Sequence, residues 1–270
     1  MLYLFFWLEA ALVTGALYLF IPALHPAFIL PMLLGAFLLL CILFALYLVI
    51  TSLFFSKEPP TRPSRFASVT VRLALPWFSS ILGTRLSVKG KEKMPDTKAV
   101  YVCNHRSAFD PVFVMSAFPH RKTAFVAKLS VAKYPFIGSY MNKSGFVFVD
   151  RDSPMQAMRV IHRAAKYVKE NNLNYGVFPE GTRSRDGKLL PFKSGAFVLA
   201  KKADVPIAVM TIEGSETAIS GLPFHRPRVK VTVAGTIPVE DVRALSPDEL
   251  SDRTRAMMTA ILQSENAPKP

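Results

Sequence analysis

Cysteine is almost missing from this chain: Cys41 and Cys103 are the only two among 270 residues. Two thiols cannot form a disulfide framework, so the fold must rest on a packed core, and a reducing compartment suits it. Charge is missing from one end. Between Met1 and Ser56 the only charged side chain is Glu9, and there is no lysine or arginine. A secretory signal peptide opens on a positive segment, so its absence argues against that reading. Also absent are internal repeats, low-complexity segments, a recognisable serine or cysteine nucleophile, and any His, Cys, Asp or Glu cluster with metal-ligand spacing. No metal site and no cofactor are expected.

Apolar length is what the uncharged end does have. "MLYLFFWLEAALVTGALYLF" and "AFILPMLLGAFLLLCILFALYLVITSLFF" flank Pro22, His25 and Pro26. Each is long enough for ~20 residues of helix to cross ~30 Å of hydrocarbon. Two spans or one re-entrant hairpin over residues 1–56 are expected, in contact with a lipid bilayer. All 33 basic residues follow, with all but one of the 19 acidic ones, in a chain of net charge +14. Lys57, Arg62, Arg65 and Arg72 therefore set the orientation, which places the remainder in the cytoplasm beneath a cell membrane. The basic residues are scattered rather than clustered, which argues against nucleic acid as the partner.

Residues 57–65, "KEPPTRPSR", read as a Pro-rich linker. The stretch "RFASVTVRLALPWFSSIL" then puts Phe66, Val69, Leu73 and Trp77 at helical spacing, with Arg65 and Arg72 on a common face. It suits a basic amphipathic helix at headgroup level, or equally a surface helix packed on the core and kinked at Pro76. Linker and helix make a segment 57–85, ahead of a domain 86–270. In that domain short apolar runs alternate with helical stretches. Strands are expected at 99–104, 145–150, 175–179, 206–214 and 229–235. Between them "DPVFVMSAF", "SPMQAMRVIHRAAKYVKENN" and "KSGAFVLAKKA" read as helical. The pattern predicts an α/β fold with a mostly parallel or mixed central sheet flanked by helices. Near the end, Ser246 and Glu249 form a capping box for a helix running to about Gln263.

Four stretches carry chemistry. In "NHRSAFD", Asp110-Pro111 reads as a helix N-cap followed by proline at the first helical position. His105 then sits in the turn ahead of it, within reach of the Asp110 carboxylate. A carboxylate beside imidazole fixes its tautomer and prepares a general base; the plain alternative is a cap beside an incidental loop histidine. In "FPEGTRSR", Glu180, Gly181, Thr182 and Arg183 offer backbone N–H groups, a hydroxyl and a guanidinium, a set suited to phosphate. The plain alternative is a solvated turn. In "GFVFVDRD", Arg151 adds a second cation at the same sheet edge. A rival reading there, a metal-dependent phosphatase on Asp150 and Asp152, is weakened by Pro154 two residues after the second Asp. "VPIAVMTIEG" is by itself a buried strand. Lys128 and Lys193, away from charge runs, either line an anionic site or snorkel at the surface.

In order and spacing, "NHRSAFD", "GFVFVDRD", "FPEGTRS" and "VPIAV" resemble the four blocks of the glycerolipid acyltransferases over about residues 86–240. The resemblance implies that family's fold with an N-terminal membrane segment. It also implies transfer of an acyl group from acyl-CoA or acyl carrier protein to the 2-hydroxyl of lysophosphatidic acid, giving phosphatidic acid for phospholipid synthesis. His105 would be the base, oriented by Asp110. Arg151 and the Glu180–Arg183 turn would hold the acceptor phosphate, with Glu180 orienting an arginine or the turn. Gly145 and Gly181 would admit the substrate closely, and N–H groups near Pro111 would face the oxyanion. A sibling enzyme with another acceptor, such as glycerol-3-phosphate, another lysophospholipid or an amino-acid lipid, shares most of these features. A non-catalytic membrane module would share the anchor but not the dependence on His105.

Overall fold

The structure, a computed structural model, describes residues 2–21, 25–81, 83–218 and 226–266. Pro22 and the side chains of Pro76 and Trp77 lie outside the described residues. The apolar end folds as a helical hairpin, α1 (Leu2–Phe20) and α2 (Ile29–Leu53). Trp7 stacks on Phe37 and Phe6 meets Phe44 edge-on, at 4.3 and 5.6 Å between centroids. Two membrane-length runs were expected. Among the described residues only Pro26–Leu53 is long and apolar enough to cross a membrane, with a mean hydropathy of 3.0. The first run is shorter in its apolar part, Phe6–Phe20.

The segment that follows is no free linker. Asn142 donates to the carbonyls of Lys57 and Glu58 at 3.1 and 3.2 Å, and Tyr167 donates to that of Pro60. The Ser64 N–H reaches Lys143 O at 2.7 Å. Helix α3 (Arg65–Ile81) then combines features of both expected readings. Its small residues Ala67 and Thr70 are buried, while Phe66 and Leu73 remain nearly half exposed. It packs against α1 and against the two short helices α4 (Asp110–Ala117) and α5 (Ile137–Lys143).

Seven strands form one sheet: β1 (Arg85–Lys89), β2 (Val100–Cys103), β3 (Thr123–Lys128), β4 (Val147–Val149), β5 (Asn174–Val177), β6 (Ile207–Glu213) and β7 (Arg228–Ile237). Their order is β1-β7-β6-β2-β5-β3-β4. Every neighbouring pair is parallel except β6 with β7. Five strands therefore run one way, and all five expected strands are present. The expected list lacked β1 and β3. Strand β1 lies at the edge and alternates exposed with half-buried residues over only five positions. Strand β3 runs straight into a 3-10 turn at Leu129–Lys133, with no Gly or Pro to mark its end.

The remaining helices cover the sheet: α6 (Pro154–Asn171), α7 (Gly195–Ala203), α8 (Val239–Ala244) and α9 (Pro247–Asn266). Helix α6 starts at Ser153, whose side chain accepts from Gln156 N, and it buries Val160, Ile161, Ala164, Ala165, Tyr167 and Val168. Each large apolar side chain so buried contributes about 1.5–3 kcal/mol. At α9 the expected capping box is present, with Ser246 and Glu249 each accepting the other's N–H. All four side chains of β2 are fully buried at the centre of the sheet. The residues just beyond β2 therefore continue directly from the buried centre of the sheet.

Candidate active site

In an open α/β sheet, ligands meet the carboxyl ends of the strands. Here β2 delivers Asn104 and His105 to that edge, β5 delivers Phe178–Arg183, β3 ends at Lys128, β4 leads to Arg151, and β6 leads to Ser215. Asn104 locks the edge. Its buried amide donates to Ile212 O at 3.0 Å and accepts from Ile212 N at 2.7 Å, tying β2 to β6.

His105 Nδ1 lies 2.8 Å from Asp110 Oδ2, and its side chain is 14% exposed. An ionised carboxylate only accepts, so the proton of a neutral imidazole sits on Nδ1 and Nε2 keeps its lone pair. No described residue bonds Nε2. Beneath the ring, Phe178 stacks at 4.2 Å and 14°. Phe178 in turn stacks on Phe125 at 5.4 Å. Asp110 was expected to cap its helix, but its carboxylate turns back into the loop. Oδ2 also accepts the N–H groups of Arg106 and Ser107 at 2.7 and 2.8 Å. Oδ1 accepts from Ser215 Oγ at 2.5 Å. The cause is the tightness of the turn, which aims two loop N–H groups at the first carboxylate of α4. These two N–H groups are therefore spent on Asp110, and Asp110 N donates to Ser107 O at 3.2 Å.

Glu180 turns inward. It is 3% exposed, with Oε1 accepting His105 N at 2.9 Å and Oε2 accepting Leu190 N at 3.0 Å. Burial pushes its carboxyl above the usual range, partly offset by those two N–H groups. Of the two expected roles it takes the orientation of the turn. Ser184 N adds a bond to His105 O at 2.8 Å, so the third block grips both main-chain groups of the histidine. Gly181 turns the chain with φ +68°, and a Cβ there would sit 3.1–3.3 Å from the end of the Lys193 side chain. Lys193 therefore lies on the turn itself. Thr182 and Arg183 are exposed beside it, and neither has a hydrogen-bond or ion-pair partner among the described residues. Such a turn can accept an anion next to a free imidazole nitrogen.

Lys128 and Arg151 share the edge but stand farther off. Strands β3 and β4 lie two and three places from β2 in the sheet, about 10 and 14 Å at ~4.8 Å per strand. Both side chains are exposed. Gly145 serves packing rather than substrate approach, since a Cβ there would strike Pro63 at 2.8 Å. Asp150 Oδ1 accepts Asp152 N at 3.1 Å, so this pair of acids closes the turn into α6. Among the described residues no group of three His, Cys, Asp or Glu is placed to hold a metal ion.

Three residues at the edge were not expected. Ser215 enters only through the turn after β6. Arg106 donates to Gly187 O at 3.0 Å and reaches Glu216 at 3.4 Å. Arg255, from α9, donates to Leu190 O and Leu189 O at 2.7 and 3.1 Å and lies over the Phe192 ring. The sequence carries no local sign of Arg255, because its partners are backbone carbonyls about 65 residues away.

The domain thus sets an imidazole–carboxylate pair at the carboxyl edge of its sheet, beside a basic turn. Residues 85–213 match the family model Acyltransferase. The 1-acyl-sn-glycerol-3-phosphate acyltransferase of Limnanthes douglasii is 36% identical over 159 residues, 59% of this chain and 56% of that protein. The alpha form from Homo sapiens is 31% identical over 199 residues, 72% of this chain and 69% of that one. The chain belongs to this acyltransferase family. It spans about half the length of the plant relatives it matches, 56% for Limnanthes and 48% for Cocos nucifera. Its fold is also that of the crystal structure of the 1-acyl-sn-glycerophosphate (LPA) acyltransferase PlsC from Thermotoga maritima. That match has a TM-score of 0.62 at 23% identity and covers 84% of this chain and 90% of that one.

Proposed function

We propose that the protein transfers a fatty acyl group from a thioester, acyl-CoA or acyl carrier protein, to the 2-hydroxyl of a 1-acylglycerol-3-phosphate. The observation that carries this reading is His105, held through Nδ1 by Asp110 with Nε2 unbonded beside the Gly181–Arg183 turn. The lack of a protein nucleophile then has a physical reason: the nucleophile arrives with the acceptor. His105 Nε2 takes the hydroxyl proton, and the hydroxyl oxygen attacks the thioester carbonyl. Collapse of the tetrahedral adduct breaks the C–S bond, and the imidazolium returns its proton to the departing thiolate. The products are the diacyl phosphate ester and a free thiol. A positioned base of this kind typically contributes ~10²–10⁴ in rate.

Arg183 and Lys193 hold the acceptor phosphate, with Arg151 and Lys128 farther along the edge. Fixing the dianion fixes where the hydroxyl points. The chemistry asks for no cofactor. Both acceptor and product carry acyl chains, which fits a chain anchored by its apolar hairpin in the cell membrane with the sheet edge on the cytoplasmic face.

The test is thiol release from palmitoyl-CoA by the detergent-purified protein with EDTA present throughout. It is measured with lysophosphatidic acid, with glycerol-3-phosphate and with neither, beside His105→Ala. Release that requires lysophosphatidic acid and disappears in the variant is the expected result. Release unchanged by His105→Ala refutes the mechanism. With no acceptor-dependent release, acyl carrier protein replaces CoA as the donor, and silence there too refutes the substrate assignment.

A further inference from the structure

We propose that Ser215 is a positioning residue of this site, fixing the Asp110 carboxylate on His105 and setting the basicity of the imidazole. The inference rests on the acyl-transfer reading only for its catalytic consequence. Ser215 lies beyond the matched family segment, which ends at residue 213. It is fully buried, as is Asp110, and the 2.5 Å between Oγ and Oδ1 is the length of a hydroxyl-to-carboxylate bond strengthened by charge.

The geometry gives this bond a function that packing alone would not. Three N–H groups converge on Oδ2 of Asp110, and among the described residues Ser215 is the only donor to Oδ1. No solvent reaches the carboxylate, so nothing replaces the hydroxyl if it is removed. The carboxylate is then free to turn and to concentrate its charge on the histidine side.

The fold delivers Ser215 deliberately. Strand β6 runs parallel to β2 with Met210 level with Cys103, continues beyond it to Glu213, and Gly214 bends the chain at φ +78°. A Cβ at Gly214 would lie 2.1 Å from Arg228 O. The same turn carries Glu216 to Arg106, whose N–H also bonds Asp110. One turn therefore holds both flanks of the catalytic loop.

A hydrogen bond to a carboxylate spreads its charge and weakens its hold on a neighbouring cation. Losing the Ser215 bond should therefore make the His105 imidazolium more stable and its pKa higher. The other charged groups about His105 are Glu180, which accepts its N–H, Arg106, next in the chain, and Arg183 and Lys193 on the adjoining turn. None of them is hydrogen-bonded to Ser215, so all act equally before and after its substitution.

The experiment follows the His105 ring by NMR titration in the resting full-length protein in detergent, with His105→Gln assigning its signal among five histidines. Ser215→Ala is expected to raise the His105 pKa by about half to one unit. The acid limb of kcat/KM should move by the same amount, with kcat lowered and KM for the acceptor unchanged. Ser215→Cys fills nearly the same space with a weak donor, and it also serves if the alanine variant fails to fold. It is expected to follow Ser215→Ala. A His105 titration that is the same in wild type and both variants overturns the proposal, as does a cysteine variant that titrates like wild type. The titration needs no substrate. An inactive wild type that still shows the shift would refute the acyl-transfer reading and leave the Ser215 assignment standing.

Discussion

Asp110→Asn separates charge from shape at this site. Asp110 is fully buried and accepts four donors, three on Oδ2 and one on Oδ1. In the variant the amide oxygen takes the Oδ2 position, because an NH₂ there would face the N–H groups of Arg106 and Ser107. The amide nitrogen then meets Ser215 Oγ, a hydroxyl that can turn from donor to acceptor. Every partner stays satisfied, so stability should remain within about 1 kcal/mol of wild type. The charge is gone, however. A unit charge about 4 Å from the imidazolium contributes about 4 kcal/mol at an effective dielectric of about 20, which is about three factors of ten in rate. Thiol release with lysophosphatidic acid should therefore fall roughly 10³-fold while urea unfolding in detergent barely moves. Asp110→Ala strands two buried N–H groups and should cost about 3 kcal/mol or more in stability. Activity of Asp110→Asn within tenfold of wild type, or a loss of stability equal to that of the alanine variant, would refute the reasoning.

Glu180→Gln should cost about 2 kcal/mol, because its NH₂ must oppose one of the two N–H groups that the carboxylate accepts. The acid itself has a pH signature. Burial raises its folded pKa, so its contribution is fully present below the unfolded carboxylate value and is lost as pH rises through the folded one. Urea unfolding from about pH 4 to 7 should show that decline in wild type and a flatter profile in Glu180→Gln; equal profiles would disprove it. Arg183→Ala and Lys193→Ala should each raise KM for lysophosphatidic acid about 10–100-fold, the loss of one charge-assisted bond of ~1.5–3 kcal/mol. Arg151→Ala and Lys128→Ala should do less, and the reverse order would move the phosphate toward β4. Arg255→Ala should lower kcat and destabilise the protein by about 2 kcal/mol by freeing the Leu189–Leu190 strap, with Arg255→Lys recovering part of both.

The parts of this fold that could be read ahead of the structure are those whose cause is local. Strand β2 announces itself because a fully buried strand must be apolar at every position, as Val100–Cys103 is. Helix α6 announces itself through a serine cap, a proline and one apolar stripe. Strand β1 has no such cause. It is held at the edge by its pairing with β7 in the register Leu86↔Val229, a partner more than 140 residues away. The two-faced character of α3 is also nonlocal: which stripe is buried depends on α1, α4 and α5, which pack against it.

The site divides in the same way. His105 and Asp110 lie five residues apart and meet inside one turn, so chain geometry alone brings them into reach. Glu180 was legible as part of the site but not in its orientation, since both of its acceptors are filled by N–H groups from other segments. Ser215 and Arg255 act on backbone and carboxylate atoms brought near by the sheet and by α9. A hydroxyl or a guanidinium that serves such atoms needs no motif around it, only the right place in the fold. The residues proposed for the chemistry can thus be read from spacing, while those that hold them still appear only once the strands are ordered.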